Sequence, residues 1–97
     1  MASRNSAGKP LKLAPVLDLN EATALHNKLL ELKGAPIAID ASAVERMGSL
    51  CAQVLMAGAK TWEVDQLSFT FAKVSDAFVK ATQLIGVDIA PLMAKEI

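Results

Sequence analysis

Between Asp18 and Asp40 the chain carries a helix with both ends marked, followed at once by a short apolar run. Asp18 stands three residues before Glu21, the spacing of a capping box with Asp in the capping role. Ala22, Leu25, Leu29 and Leu32 recur at helical spacing. Gly34 suits the residue after a helix end, and Pro36 forbids continuation. A helix is therefore expected at about residues 19–33. Residues 36–40 then read Pro-Ile-Ala-Ile-Asp, as expected for a central strand covered on both faces. A helix feeding directly into such a strand points to an α/β sheet with mostly parallel central strands and right-handed crossovers.

The flanking segments continue the alternation. Residues 11–14 form a strand candidate, with Leu11 and Leu13 alternating against Lys12; Pro15 keeps it short or at an edge. Residues 41–48 read as a loop with Val44 and Met47 turned inward. A second helix begins near Ser49. Leu50, Val54, Ala57 and Thr61 lie on one stripe, and Cys51, Leu55, Gly58 and Trp62 on the next. So broad an apolar face suits a helix packed hard against a sheet, and the small Ala57, Gly58 and Ala59 permit close approach. Residues 67–72 alternate as a half-buried strand. Ser75 suits the cap of a third helix at about 76–85, which Gly86 ends. A last short strand is expected at 87–89 and a terminal helical turn at 92–97. Residues 1–10 are polar and read as a flexible tail, leaving one domain over 11–97.

Composition narrows the function. Hydrophobic residues make up 53% of the 97, but only three Phe and one Trp are present, so the core is aliphatic. Ten basic residues balance ten acidic ones, without a basic stripe. Nucleic-acid binding is disfavoured, because nothing supplies an electrostatic footprint for phosphates. One cysteine and one histidine leave no internal disulfide and no metal cluster, and no cofactor is expected. Gly-rich phosphate loops and a nucleophile elbow are also missing, which argues against an enzyme. Without a signal-peptide core or a run of about 20 apolar residues, direct membrane insertion is not expected and a cytoplasmic location is.

At residues 36–62 the chain resembles the core of a STAS domain, the anti-sigma-factor-antagonist fold. That family's pattern is a central strand ending in Asp, a loop with a buried hydrophobic, and a hydroxyl residue at the start of a helix on the sheet. Here it reads Ile37-Ala38-Ile39-Asp40, then Val44 and Met47, then Gly48-Ser49-Leu50-Cys51. Val16-Leu17-Asp18 with Glu21-Ala22 resembles the entry into the family's first helix. Val74-Ser75 and Leu84-Ile85-Gly86-Val87 resemble the elements that follow. Ser49 falls on the serine that is phosphorylated in some members. Gly48 stands where they have an acidic residue, Leu50 where they have a second hydroxyl and Cys51 where they have glycine. The stretch before Asp18 has room for one strand where members usually begin with two. The resemblance is nearest to small STAS proteins of bacterial chemotaxis gene clusters; Lys60-Thr61-Trp62-Glu63 and Leu67-Ser68-Phe69 contribute to it. It implies a four- to five-stranded mostly parallel or mixed sheet, with three to four helices mainly on one face.

The resemblance also implies a non-catalytic protein-interaction switch. The partner would be a serine kinase of the anti-sigma type or a chemotaxis signalling component. Ser49 is the phosphorylation candidate; capping its own helix is the plainer alternative. Phosphate there would sit on the positive end of the helix dipole. Glu45, Arg46, Gly48, Leu50 and Gln53 join Ser49 as the expected partner surface. A permanent subunit of a larger complex, for example with a transporter ATPase, is the alternative that Gly48 favours. A small-ligand or nucleotide sensor at Asp40 is a third, since open α/β sheets bind ligands at the carboxyl ends of their strands. Asp40 is also a natural loop-ordering acceptor, and Ser42 a turn residue or a second phospho-acceptor. Cys51, one turn into a helix, is either a thiol activated by the dipole or a buried structural cysteine. His26 reads as boundary packing, and Trp62 as a core lid or an exposed anchor.

Overall fold

The computed structural model describes residues 9–93. Its elements run β1 (Lys9–Lys12), β2 (Val16–Leu17), α1 (Leu19–Leu32), β3 (Ile37–Ala41), β4 (Arg46–Met47), α2 (Ser49–Val64), β5 (Phe69–Val74), α3 (Asp76–Ile85) and a 3₁₀ turn (Ala90–Leu92). The chain is a small α/β domain with three α-helices and only parallel strand pairs among the described residues. The five strands form two sheets rather than one: β1-β3-β5, and a separate two-stranded β2-β4.

Two strands precede α1, not the single one expected. β1 begins at Lys9, inside the segment read as a tail, and the remaining residues of that segment lie outside those described. Pro10 fits because β1 is an edge strand, where a missing donor costs no ladder bond. Pro15 separates β1 from β2. The stretch expected as a loop before Ser49 contains β4, which pairs with β2 over two residues, Val16 with Arg46 and Leu17 with Met47.

One face of the larger sheet makes the core. Leu11, Ile37, Ile39, Phe69 and Phe71 are buried on it. All three helices cover that face. Trp62 of α2 stands edge-on to Phe69 at 5.7 Å, and Phe78 of α3 meets Phe71 at 5.3 Å. Leu29 of α1 crosses α2 at Gly58, where an added Cβ would lie 3.0 Å from Leu29 Cδ1 and 3.3 Å from the Phe69 ring. Fully burying a ring such as Phe71 contributes about 1.5–3 kcal/mol.

Among the described residues no helix covers the opposite face, so β3 is not packed on both sides as its apolar run suggested. Ala38 and Asp40 are only half-buried. A register shift between Ile39 and Asp40 sets Asp40 beside Lys73, with Lys12 on its other side. The small Ala38 and the charged row serve a solvated surface, while Ile37 and Ile39 serve the core.

In α2 the inward stripe is Cys51, Leu55, Gly58 and Trp62; Leu50 and Ala57 of the other stripe are exposed. Trp62 is 2% exposed and its indole N–H donates to Ala35 O at 2.7 Å, so it is a core residue and not an exposed anchor. Gly86 ends α3 in the left-handed region at φ 87°, where glycine carries no Cβ penalty. Residues 87–89 do not form the expected strand. Val87 N–H donates back to Thr82 O, and Asp88 accepts from Ala90 N–H to open the 3₁₀ turn. Met93 instead makes a parallel bridge to Phe71. The 3₁₀ turn ends at Leu92, where the expected terminal helical turn would start, and Met93 is extended; residues 94–97 of that expectation lie outside those described.

Candidate functional site

The short β2-β4 pair sets two helix starts side by side. Each of its strands runs into a helix within one residue: Asp18 caps α1 and Gly48 caps α2. Asp18 Oδ1 accepts from Glu21 N–H at 3.0 Å, completing the cap the spacing predicted. Gly48 N–H donates to Leu17 O at 3.0 Å, and Gly48 O accepts from Ala52 N–H at 3.3 Å. The loop before α2 is held from below. Val44 is buried; its carbonyl accepts from the Ser75 hydroxyl at 2.6 Å, and Ser75 Oγ in turn accepts from Phe78 N–H at 3.0 Å. The main-chain N–H groups of Glu45 and Arg46 both donate to Pro15 O, at 2.7 and 3.2 Å.

On this frame Glu45, Arg46, Gly48, Ser49 and Leu50 are all exposed, with the half-buried Met47 between Arg46 and Gly48, and Gln53 is exposed one turn further along α2. An open cavity of about 330 Å³ lies beside them, lined by Val16, Leu17, Asp18, Arg46, Met47 and Gly48. Ser49 is the first residue of the helix and not its cap. Gly48 holds the cap position, and no side-chain hydrogen bond caps α2. The capping explanation for Ser49 is therefore overturned: its backbone is already helical, whereas a capping residue sits just outside the helix. The first turn of α2 carries no acidic residue of its own; the nearby acids are Asp18 and Glu21 at the start of α1.

Asp40 is occupied in its own turn. Its Oδ1 accepts from Ser42 N–H at 2.9 Å and from Ser42 Oγ at 2.6 Å. These bonds hold its carboxyl below the ordinary 3.8, and the neighbouring Lys73 and Lys12 act in the same direction against partial desolvation. Of the two readings of Cys51, the structure matches the buried structural cysteine and not the activated thiol. It is buried, and Sγ–H donates to Asp18 O at 3.3 Å. Burial, then the negative charges of Glu21 and Asp18, push its pKa above the ordinary 9.0. Proximity to a helix start does not activate a thiol that water cannot reach and that faces acids. His26 is exposed on α1. Among the described residues no cluster of three His, Cys, Asp or Glu side chains could hold a metal ion. No described helix is long and apolar enough to cross a membrane.

Sequence reasoning missed the two-residue strands and the Ser75 tie to Val44. Val16-Leu17 and Arg46-Met47 are too short to show any period.

A small parallel α/β domain with its helices on one face and a braced, exposed helix start is consistent with a STAS-like fold. The family model described as "Mlab, STAS domain" matches residues 1–94, and the chain belongs to that STAS family. Comparison with curated proteins and with solved structures finds no match. Family membership carries an anti-sigma-antagonist-like, protein-interaction role in general.

Proposed function

We propose that the domain is a protein-interaction switch whose contact surface is the loop and helix beginning at Ser49. The observation supporting this is the exposed Ser49 at an uncapped helix start, flanked by exposed Arg46 and Leu50. The apolar Leu50 offers burial to a visitor, and Arg46 offers a directed charge. Phosphate on Ser49 would meet the unpaired N–H groups of the first turn, so the fold tolerates it. The same charge would repel an acidic partner surface or desolvate badly in an apolar one. Binding thus changes without unfolding. The partner proposed is a serine kinase of the anti-sigma type or a chemotaxis signalling component.

A second reading is a permanent, unregulated subunit, for example beside a transporter ATPase. Gly48 supports it, because the loop lacks the acidic residue that stands before the phosphorylated serine in phosphorylatable members. Intact mass of the chain isolated from its own cells separates the two. A fraction heavier by one phosphate, localised to Ser49 and lost in Ser49→Ala, supports the switch. A single unmodified species under all growth conditions supports the permanent subunit. If Arg46→Glu and Leu50→Asp leave binding to the candidate kinase intact, the surface itself is wrong.

A further inference from the structure

Away from the Ser49 loop, α1 and α2 leave a hollow of about 120 Å³ between them. Its floor is the buried Leu29, Gly58 and Trp62. Its walls are Leu30 from α1 with Val54 and Ala57 from α2. Leu30 is 56% exposed, and Leu50, one turn before Val54 on the same stripe, is 43% exposed. Ala57, with its short side chain, leaves the hollow open to solvent, while Gly58 lets Leu29 pack closely beneath it. A cavity of about 150 Å³ holds a benzene ring, so this hollow has room for one branched aliphatic side chain.

The polar groups at its edge are Lys33, His26 and Thr61, and no acidic residue lines it among the described residues. An ammonium beside an apolar hollow complements a visitor carrying a carboxylate next to an aliphatic side chain. Apolar residues offered from both α1 and α2, with Val54 and Ala57 on successive turns of α2, suit a third helix laid against the hollow. A second copy of this chain would bring its own Lys33 to the same groove, and like charges oppose that pairing.

We infer that the α1–α2 groove is a docking site for an amphipathic helix of a partner protein, which seats one Leu or Ile in the hollow and sets a carboxylate against Lys33. The inference rests on the reading of the domain as a protein-binding module and moves part of the contact away from Ser49.

The chain supplies its own reporter, because Trp62 is the only tryptophan and forms part of the floor. The probe is a Trp-free helical peptide of about 15 residues with two Leu one turn apart and flanking Glu, end-capped to hold its helix. The full chain is titrated with this peptide, with its Glu→Lys counterpart and with its Leu→Asn counterpart. The acidic Leu peptide is expected to shift Trp62 emission saturably and to move the amide signals of Leu30, Val54 and Ala57. The Leu→Asn peptide should bind about tenfold more weakly. Ala57→Glu, at an exposed helical position, should abolish the response with the melting temperature kept. Lys33→Glu should reverse the preference, so that the Lys peptide binds the variant better than the Glu peptide does. No saturable response up to about 1 mM peptide overturns the inference. So does equal binding of the Glu and Lys peptides, amide shifts confined to other surfaces, or Trp62 emission that changes with the chain's own concentration alone. The peptide experiment involves neither Ser49 nor the kinase, so its failure leaves the Ser49 reading to stand or fall separately.

Discussion

The thiol of Cys51 donates to the main-chain oxygen of Asp18 at 3.3 Å, which ties the first turn of α2 to the residue that caps α1. Asp18 O also accepts from Ala22 N–H at 3.0 Å, so one carbonyl serves both helix starts. The exposed Ser49 rim therefore rests on a buried contact two residues away.

The raised pKa of Cys51 has a consequence for stability. When the folded pKa of a group lies above its unfolded one, the stabilisation is present below the unfolded pKa and fades as pH rises through the folded one. Unfolding free energy should accordingly fall as pH rises above about 9.0, the unfolded value for the thiol. Urea titrations at a series of pH values test this, and Cys51→Ala should remove that part of the decline. At neutral pH a thiol reagent should react with the native chain far more slowly than with the chain in denaturant.

Asp40 has the opposite sign. Its folded pKa is lowered chiefly by the Ser42 hydroxyl, so its stabilisation is present above 3.8 and is lost as pH falls through the folded value. Carboxyl NMR titration should place Asp40 below 3.8 in the wild type and closer to 3.8 in Ser42→Ala. An unchanged Asp40 midpoint in that variant would show that the turn seen here does not set its charge.

Gly48 occupies a cap position without a capping side chain. Its backbone is extended, and an added Cβ would meet only Leu17 O at an ordinary 3.6 Å. Gly48→Asp should stabilise the fold by a few tenths of a kcal/mol, about 0.5, read as a shift in the urea midpoint. A loss of stability would mean that the loop cannot accept the acid.

Gly58 is the crossing point of α1 and α2. Gly58→Leu should destabilise by about 1–3 kcal/mol, since its side chain must displace Leu29 or the Phe69 ring. Equilibrium unfolding measures this directly.

Much of this architecture is legible in the sequence wherever a residue does one thing. Asp18 with Glu21, Ser75 before Asp76, and Gly86 after Ile85 announce helix ends through local chemistry, and those ends stand in the structure. The short pairings are not legible. Val16-Leu17 and Arg46-Met47 become strands only because they meet each other across the fold. The hydrophobic run at β3 misled for a related reason. Ala38 reads as apolar whether it is covered or open, so the run could not show that one face of the sheet lacks a cover. At the site, the exposure of Ser49 follows from its order in the chain. Its place one residue inside the helix, with Gly48 as cap, depended on Leu17 O accepting from Gly48 N–H, a contact between distant residues. The Cys51 environment was hidden in the same way, since its pKa is raised first by burial and then by Glu21 and Asp18 at the start of α1, all set by packing between distant segments.

A decisive experiment titrates purified wild type, Ser49→Ala and Ser49→Asp against the candidate serine-kinase partner by calorimetry, with all three melting temperatures recorded. Because Ser49 is exposed at an uncapped helix start, wild type and Ser49→Ala should melt and bind alike, whereas Ser49→Asp should melt no lower than wild type and bind about tenfold more weakly. Equal affinity for all three, with the fold intact, would contradict the idea that charge at this rim governs what the domain holds.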